Sequence, residues 1–156
     1  MDRNDILRRI RYALNITDLK VIELFALAGR AMERSELETC FSKEGEEGYV
    51  ECSDAVLACF LDGLIIWKRG PRGETGEAAV LPKDRLSNND ILKRLRIALE
   101  LRDEDLIAIM GLAGVTVSKP ELSALFRKFG HPNWRICGDQ FLRNFLVGLT
   151  SKYRVV

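Results

Sequence analysis

Apolar positions along this chain recur at spacings of three and four, the period of an α-helix with one buried face. Ile6, Leu7, Ile10, Ala13 and Leu14 fall within a single arc, with Arg8 opposite and Arg9 and Arg11 at the flanks. Asn4 reads as the N-cap of this first helix, with Asp5 in its opening turn. A second helix is predicted from about Asp18 to Ala28, apolar on most sides through Val21, Ile22, Leu24, Phe25 and Leu27. Gly29 follows it as a C-terminal stop. A third opens on the S-x-x-E capping box Ser35-Glu36-Leu37-Glu38 and runs to Gly45. A fourth begins near Asp54 and carries the stripe Val56, Leu57, Phe60, Leu61 and Leu64. No segment alternates with period two for long, so strands are not expected.

The same four elements then recur. A shift of 85 positions lays Asn4-Asp5-Ile6-Leu7 on Asn89-Asp90-Ile91-Leu92, and Leu27-Ala28-Gly29 on Leu112-Ala113-Gly114. It also lays Cys52 on Cys137, Asp54 on Asp139, and Phe60-Leu61 with Gly63-Leu64 on Phe145-Leu146 with Gly148-Leu149. The register holds without a gap from Asn4 to Leu64, and about 25 of roughly 61 aligned positions are identical. The second capping box, Ser118-Lys119-Pro120-Glu121, is offset by two from the first, which predicts an earlier start for that helix in the second copy. Gly130 closes it as Gly45 does in the first. The predicted fold class is all-α: two tandem four-helix repeats related by a pseudo-two-fold axis. The expected boundaries are 1–68 for the first repeat, 69–87 for a linker rich in glycine and charge, and 88–156 for the second repeat. Within the linker, the apolar stretch Ala78 to Leu81 reads as a surface anchor. A glycine inside the fourth helix of each copy, Gly63 and Gly148, costs about 1 kcal/mol against alanine and points to a close backbone crossing.

Charge adds little to this picture. Lys and Arg number 24 against 23 acids, for a net charge of +1, so any basic site must be a local patch. The start Met1-Asp2-Arg3-Asn4-Asp5 lacks the pattern of a signal peptide, and no apolar run approaches the length of a bilayer span. A soluble, cytoplasmic protein is expected. Cys40, Cys52, Cys59 and Cys137 form no CxxC, and there is one histidine, so neither a metal nor a cofactor is expected. The cysteines read as reduced core residues.

The doubled Asn-Asp-Ile-Leu start, the Cys-x-Asp before each fourth helix and the Phe-Leu-x-Gly-Leu within it resemble the YehS-like family of bacterial proteins. That resemblance covers nearly the whole chain. It implies a duplicated domain of unknown function in a small cytoplasmic protein, and it carries over no catalytic or binding residue.

Candidate site residues come from the repeat itself. Asp5 and Arg9, and Asp90 and Arg94, have the i,i+4 spacing of helical ion pairs. Arg11 and Arg96 lack such a partner, as do Asp54 and Asp139. Either Asp54 caps its helix, or Arg11 reaches it across the bundle, or the four charges line a shared polar cleft for an anion or metabolite. Tyr49 and Trp134 occupy matching loop positions, as gap-fillers or as exposed anchors for a partner. His131 reads as an exposed loop residue. Arg8, Arg9, Lys93, Arg94, Lys68, Arg69, Lys152 and Arg154 are the nucleic-acid candidates, provided the two copies turn them to one face. The leading expectation is a non-enzymatic protein-interaction module. The alternative is weak, non-specific nucleic-acid association, and third comes an enzyme or small-ligand binder using a polar cleft between the repeats.

Overall fold

The computed structural model describes residues 1–70 and 86–154, and every regular element among them is an α-helix. The first repeat supplies α1 (Arg3–Leu14), α2 (Asp18–Leu27), α3 (Arg34–Cys40) and α4 (Asp54–Arg69). The second supplies α5 (Asn88–Leu99), α6 (Asp103–Leu112), α7 (Lys119–Phe126) and α8 (Asp139–Tyr153). Helix α4 thus runs through Arg69. Most of the expected linker, with its Ala78–Leu81 anchor, lies outside the described residues.

The caps differ from those read in the sequence, for identifiable reasons. Asp2, not Asn4, caps α1, accepting from the Asp5 backbone N–H at 2.7 Å. Asn4 is fully buried, and its amide is committed elsewhere. Helix α3 starts after Glu33, whose N–H donates to the Glu36 carboxylate at 3.3 Å, so the capping pair lies two residues before Ser35. Glu33 stands 85 positions before Ser118, the cap of α7. The two third helices therefore begin in register, and the predicted earlier start in the second copy is overturned. They also end sooner than their glycines suggested. Gly45 and Gly130 sit in the turns beyond, both at φ +93°, where a side chain is strained.

Exchanging α1–α4 for α5–α8 maps the main packing onto itself. Helix α1 lies against α8 and α5 against α4, α2 crosses α4 as α6 crosses α8, and α3 and α7 rest on α2 and α6. The first helix of each repeat thus packs chiefly on the fourth helix of the other. One hydrophobic core runs through both repeats, with Phe25, Phe60 and Phe145 among its largest members. This interlocking explains why α1 and α5 each carry a broad apolar arc.

The two mid-helix glycines sit where the crossings are tightest. A Cβ on Gly63 would stand 1.9 Å from the Leu24 carbonyl oxygen, and one on Gly148 would stand 2.0 Å from that of Ile109. Backbone meets backbone at both points, which only glycine permits.

Candidate functional site

The four recurrent charges do not share a cleft. Arg11 pairs with Asp18 and Arg96 with Asp103, the latter at 2.8 Å, each tying a first helix to the start of the second. Their guanidinium groups also stack on Phe41 and Phe126 at 5.0 and 4.6 Å. Arg11 therefore does not reach Asp54. Nor do the aspartates cap: Ser53 caps α4, Gly138 holds the cap position of α8, and Asp54 and Asp139 are the first helical residues. Asp54 binds Arg3 Nε at 2.7 Å and the Leu86 backbone N–H at 3.0 Å. Asp139 binds the Asn88 amide at 2.8 Å and the Met1 ammonium at 3.2 Å. In both, the aspartate fastens its own repeat's first helix and the residue just before the other's. The Asn88 amide and the ammonium hold Asp139 below the usual carboxylate range.

Two equivalent loops do differ in chemistry. Each joins the third helix to the fourth and is held from within by a buried asparagine. The Asn4 amide donates to Thr39, Ser42 and Val50 carbonyls at 3.0 to 3.3 Å, and its oxygen accepts from Cys52 N–H at 2.7 Å. Asn89 repeats this with the Leu125 and Arg135 carbonyls and the Cys137 N–H. The turns match as well, since Tyr49 N–H reaches Glu46 O as Trp134 N–H reaches His131 O. On this shared backbone the first loop carries Lys43 against Glu44, Glu46, Glu47 and Glu51. The second carries Arg127, Lys128 and Arg135 with no acid.

Tyr49 and Trp134 are both half-buried but have different surroundings. The Tyr49 hydroxyl donates to Asp2 at 2.5 Å. That bond, with burial, pushes Tyr49 up to about 12. Burial would lift Asp2, but the Tyr49 hydroxyl, the Asp5 N–H and Arg8 outweigh it and leave Asp2 below its ordinary value. Tyr49 is thus a latch on the start of α1. Trp134 instead meets the edge of Phe129, with centroids 5.0 Å apart at 78°. Phe129 is 80% exposed and Ile136 72% exposed. Trp134 lines an open cleft of about 830 Å³ with Lys119, Pro120, Ala124, Arg127, Pro132 and Arg135. Glu121, the acid in its lining, is engaged at the Ser118 cap. His131 is exposed and accepts from the Asn133 N–H through Nδ1. Sequence reasoning singled out Trp134 but missed Phe129, Ile136, Arg127 and Arg135. The signal was the reversal of charge between two otherwise aligned loops.

The eight basic candidates do not form one face. Arg94 is fully buried rather than exposed, while the Asp90 carboxylate accepts from the Ser87 N–H. Asp5 pairs with Arg9 at 3.0 Å, as expected, and with Arg8 at 3.3 Å. Arg69 reaches Glu100 and the Ile97 carbonyl, Lys68 lies over Trp67, and Lys152 lies over Tyr153. Lys93 is exposed on α5. Arg8, Arg9 and Arg154 do come together, around Tyr12 between α1 and α8. A cavity of about 500 Å³ lined by Arg8, Arg9 and Tyr12 adjoins one of about 310 Å³ lined by Arg8, Arg11, Tyr12 and Arg154.

The thiols are free and, apart from half-buried Cys59, buried. Cys52 Sγ donates to the Cys40 carbonyl at 3.4 Å. The interaction of the two neighbouring thiols lowers Cys40 and raises Cys52, and burial pushes Cys137 up to about 12. Among the described residues, no group of three or more His, Cys, Asp or Glu is placed to hold a metal ion. Nor is any described helix long and apolar enough to cross a membrane.

Comparison with known proteins follows the duplication. A family described as "Protein of unknown function (DUF1456)" matches twice, at residues 3–70 and 88–154. A relative from Escherichia coli (strain K12), "Uncharacterized protein YehS", is 41% identical over 152 residues, covering 97% of this chain and 96% of the relative. No solved structure matches.

Proposed function

This chain belongs to the DUF1456 family, and from that premise we propose that it is a non-enzymatic protein-interaction module whose docking face is the Trp134 cleft. The observation that carries this is the half-buried Trp134 in a cleft rimmed by Arg127, Arg135 and Lys119, with the exposed Phe129 ring against its edge. Tryptophan and arginine dominate binding energy at protein interfaces, and the exposed Phe129 ring beside Trp134 is apolar surface that a partner would cover. The charge favours one occupant: an acidic protein segment presenting an apolar side chain to Trp134 and carboxylates to Arg127 and Arg135. The free thiols support a reducing, cytoplasmic location for this binding.

Trp134 and Trp67 give the protein an intrinsic fluorescence reporter. Titration with an acidic peptide containing Leu or Phe should quench or shift emission in wild type and in a Trp67→Phe variant. Trp134→Ala and Arg135→Glu, followed by a labelled peptide, should each weaken binding at least tenfold. A single-stranded oligonucleotide that outcompetes the peptide, with the same variants affected, would replace this reading by weak nucleic-acid binding. Equal affinity for a basic peptide would also overturn it.

A further inference from the structure

The duplication creates two related clefts, one between α1 and α8 and one between α5 and α4, and among the described residues the first carries an open cavity while the second buries its counterpart charges. In the first, Tyr12 is 55% and Val147 44% exposed. Arg8, Arg9, Thr150 and Ser151 complete its wall, around a volume of about 500 Å³. That size suits a small molecule. In the second cleft, the positions of Tyr12, Val147, Thr150 and Ser151 hold Ile97, Asp62, Ile65 and Ile66. Asp62, Ile65 and Arg94, the counterpart of Arg9, are all buried there. A cleft needed only for packing can be closed with isoleucine and an internal carboxylate, as the second one is. The first keeps hydroxyls, an exposed tyrosine and a small excess of positive charge.

We propose that the α1/α8 cleft is a binding site for a small phosphomonoester carrying an apolar body. Positive charge exceeds negative along its wall and that of the adjoining cavity. Arg8, Arg9, Arg11 and Arg154 face Asp5 and Asp18, with Asp2 as a third acid near Arg8. Asp5 is shared between two guanidinium groups, and Arg9 engages it through Nε, leaving its terminal amino groups for a ligand. Arg8 is aimed by the Ser42 carbonyl at 2.6 Å, so one arginine of the pair is preorganised. Arginine forks match phosphate oxygens in a bidentate geometry. The apolar body rests on Leu146, Val147 and the Tyr12 ring, whose orientation is set by Arg154 stacked at 3.8 Å. This site shares no lining residue with the Trp134 cleft and stands whether or not that surface docks a protein.

The test is a titration of the full-length protein with phenyl phosphate, inorganic phosphate and phenol, followed by backbone amide chemical shifts. Phenyl phosphate should perturb α1 and α8 and bind at least tenfold tighter than either fragment. Val147→Asp, which brings in the carboxylate of the closed cleft at an exposed position, should weaken binding at least tenfold. Arg9→Gln should do the same, and it serves if Val147→Asp fails to fold. Lys93→Gln, exposed on α5 outside this cleft, should leave phenyl phosphate binding unchanged. Absence of shifts on α1 and α8 at millimolar phenyl phosphate would overturn the proposal. So would equal affinities for phenyl phosphate and inorganic phosphate, or wild-type affinity in both cleft variants.

Discussion

Replacing Gly63 with alanine sets two known effects against each other. Alanine improves helix propensity by about 1 kcal/mol. Its Cβ would also stand 1.9 Å from the Leu24 carbonyl oxygen and 2.6 Å from the carbonyl carbon. The obstruction is backbone, so no rotamer change relieves it, and α2 and α4 must separate by at least about 1 Å in a close-packed core. Overpacking costs about 1–3 kcal/mol and occasionally more, and a backbone clash belongs at the upper end. The net expectation is a loss of about 2 kcal/mol, or roughly 4–8 °C in Tm for a chain of this size. Gly111 supplies the control. It lies in α6, is exposed, and a Cβ there meets nothing within 4 Å. Gly111→Ala should therefore stabilise by up to about 1 kcal/mol. Differential scanning calorimetry of both variants, with Gly148→Ala as the second crossing, decides the matter. If Gly63→Ala melts at or above wild type while Gly111→Ala is raised, the crossing does not need glycine and the packing described here is wrong.

Asn4→Ala and Asn89→Ala each strand buried backbone groups of the adjoining loop, at about 1–3 kcal/mol for a group left unsatisfied; urea denaturation should show the loss, and limited proteolysis should cut first within 41–51 or 126–136. Tyr49 should ionise near 12 by ultraviolet absorbance, and Asp2→Asn should bring it back toward 10. Because its folded pKa is raised, the stability it contributes is intact below pH 10 and is lost as pH rises toward 12. Asp2 is depressed, so its contribution holds above its ordinary value near 3.8 and fades as pH falls below that. In a native thiol titration Cys40, Cys52 and Cys137 should react slowly and only half-buried Cys59 quickly, with all four reacting in guanidinium.

The helical class, the duplication and the glycine crossings were legible because each leaves a periodic or repeated trace. Gly63 and Gly148 stood out because a helix interior has no other use for glycine. The caps were less legible. Asn4 has the residue type of an N-cap, yet burial of the adjoining loop claims its amide, and Asp2 caps instead. Ser35 begins an S-x-x-E match, but the repeat register puts the helix start at Glu33, a poor capping residue by type. Arg94 looked like a surface residue because Arg9, its counterpart, is one. In the fold Arg94 is fully buried on α5. Arg11 and Asp54 were paired by recurrence alone, which shows that both matter but not to which neighbour. Their partners, Asp18 and Arg3, were ordinary charges in the sequence.

What the two copies keep and what they change separate cleanly in space. Asn4 with Asn89, Cys52 with Cys137, Asp54 with Asp139 and Gly63 with Gly148 are identical pairs, and each holds helices or loops together. Between 42–51 and 127–136 only Lys43 with Lys128 and Gly45 with Gly130 survive, although the backbone turns and the asparagine clasp are the same. The α1/α8 and α4/α5 walls diverge likewise at Tyr12, Val147, Thr150 and Ser151. A scaffold with two-fold packing would offer two equal sites for free. Here each kind of site is open or basic on one side and closed or acidic on the other. Both clefts should accordingly bind with a stoichiometry of one per chain rather than two, and the repeat that lacks each site serves as its built-in structural control.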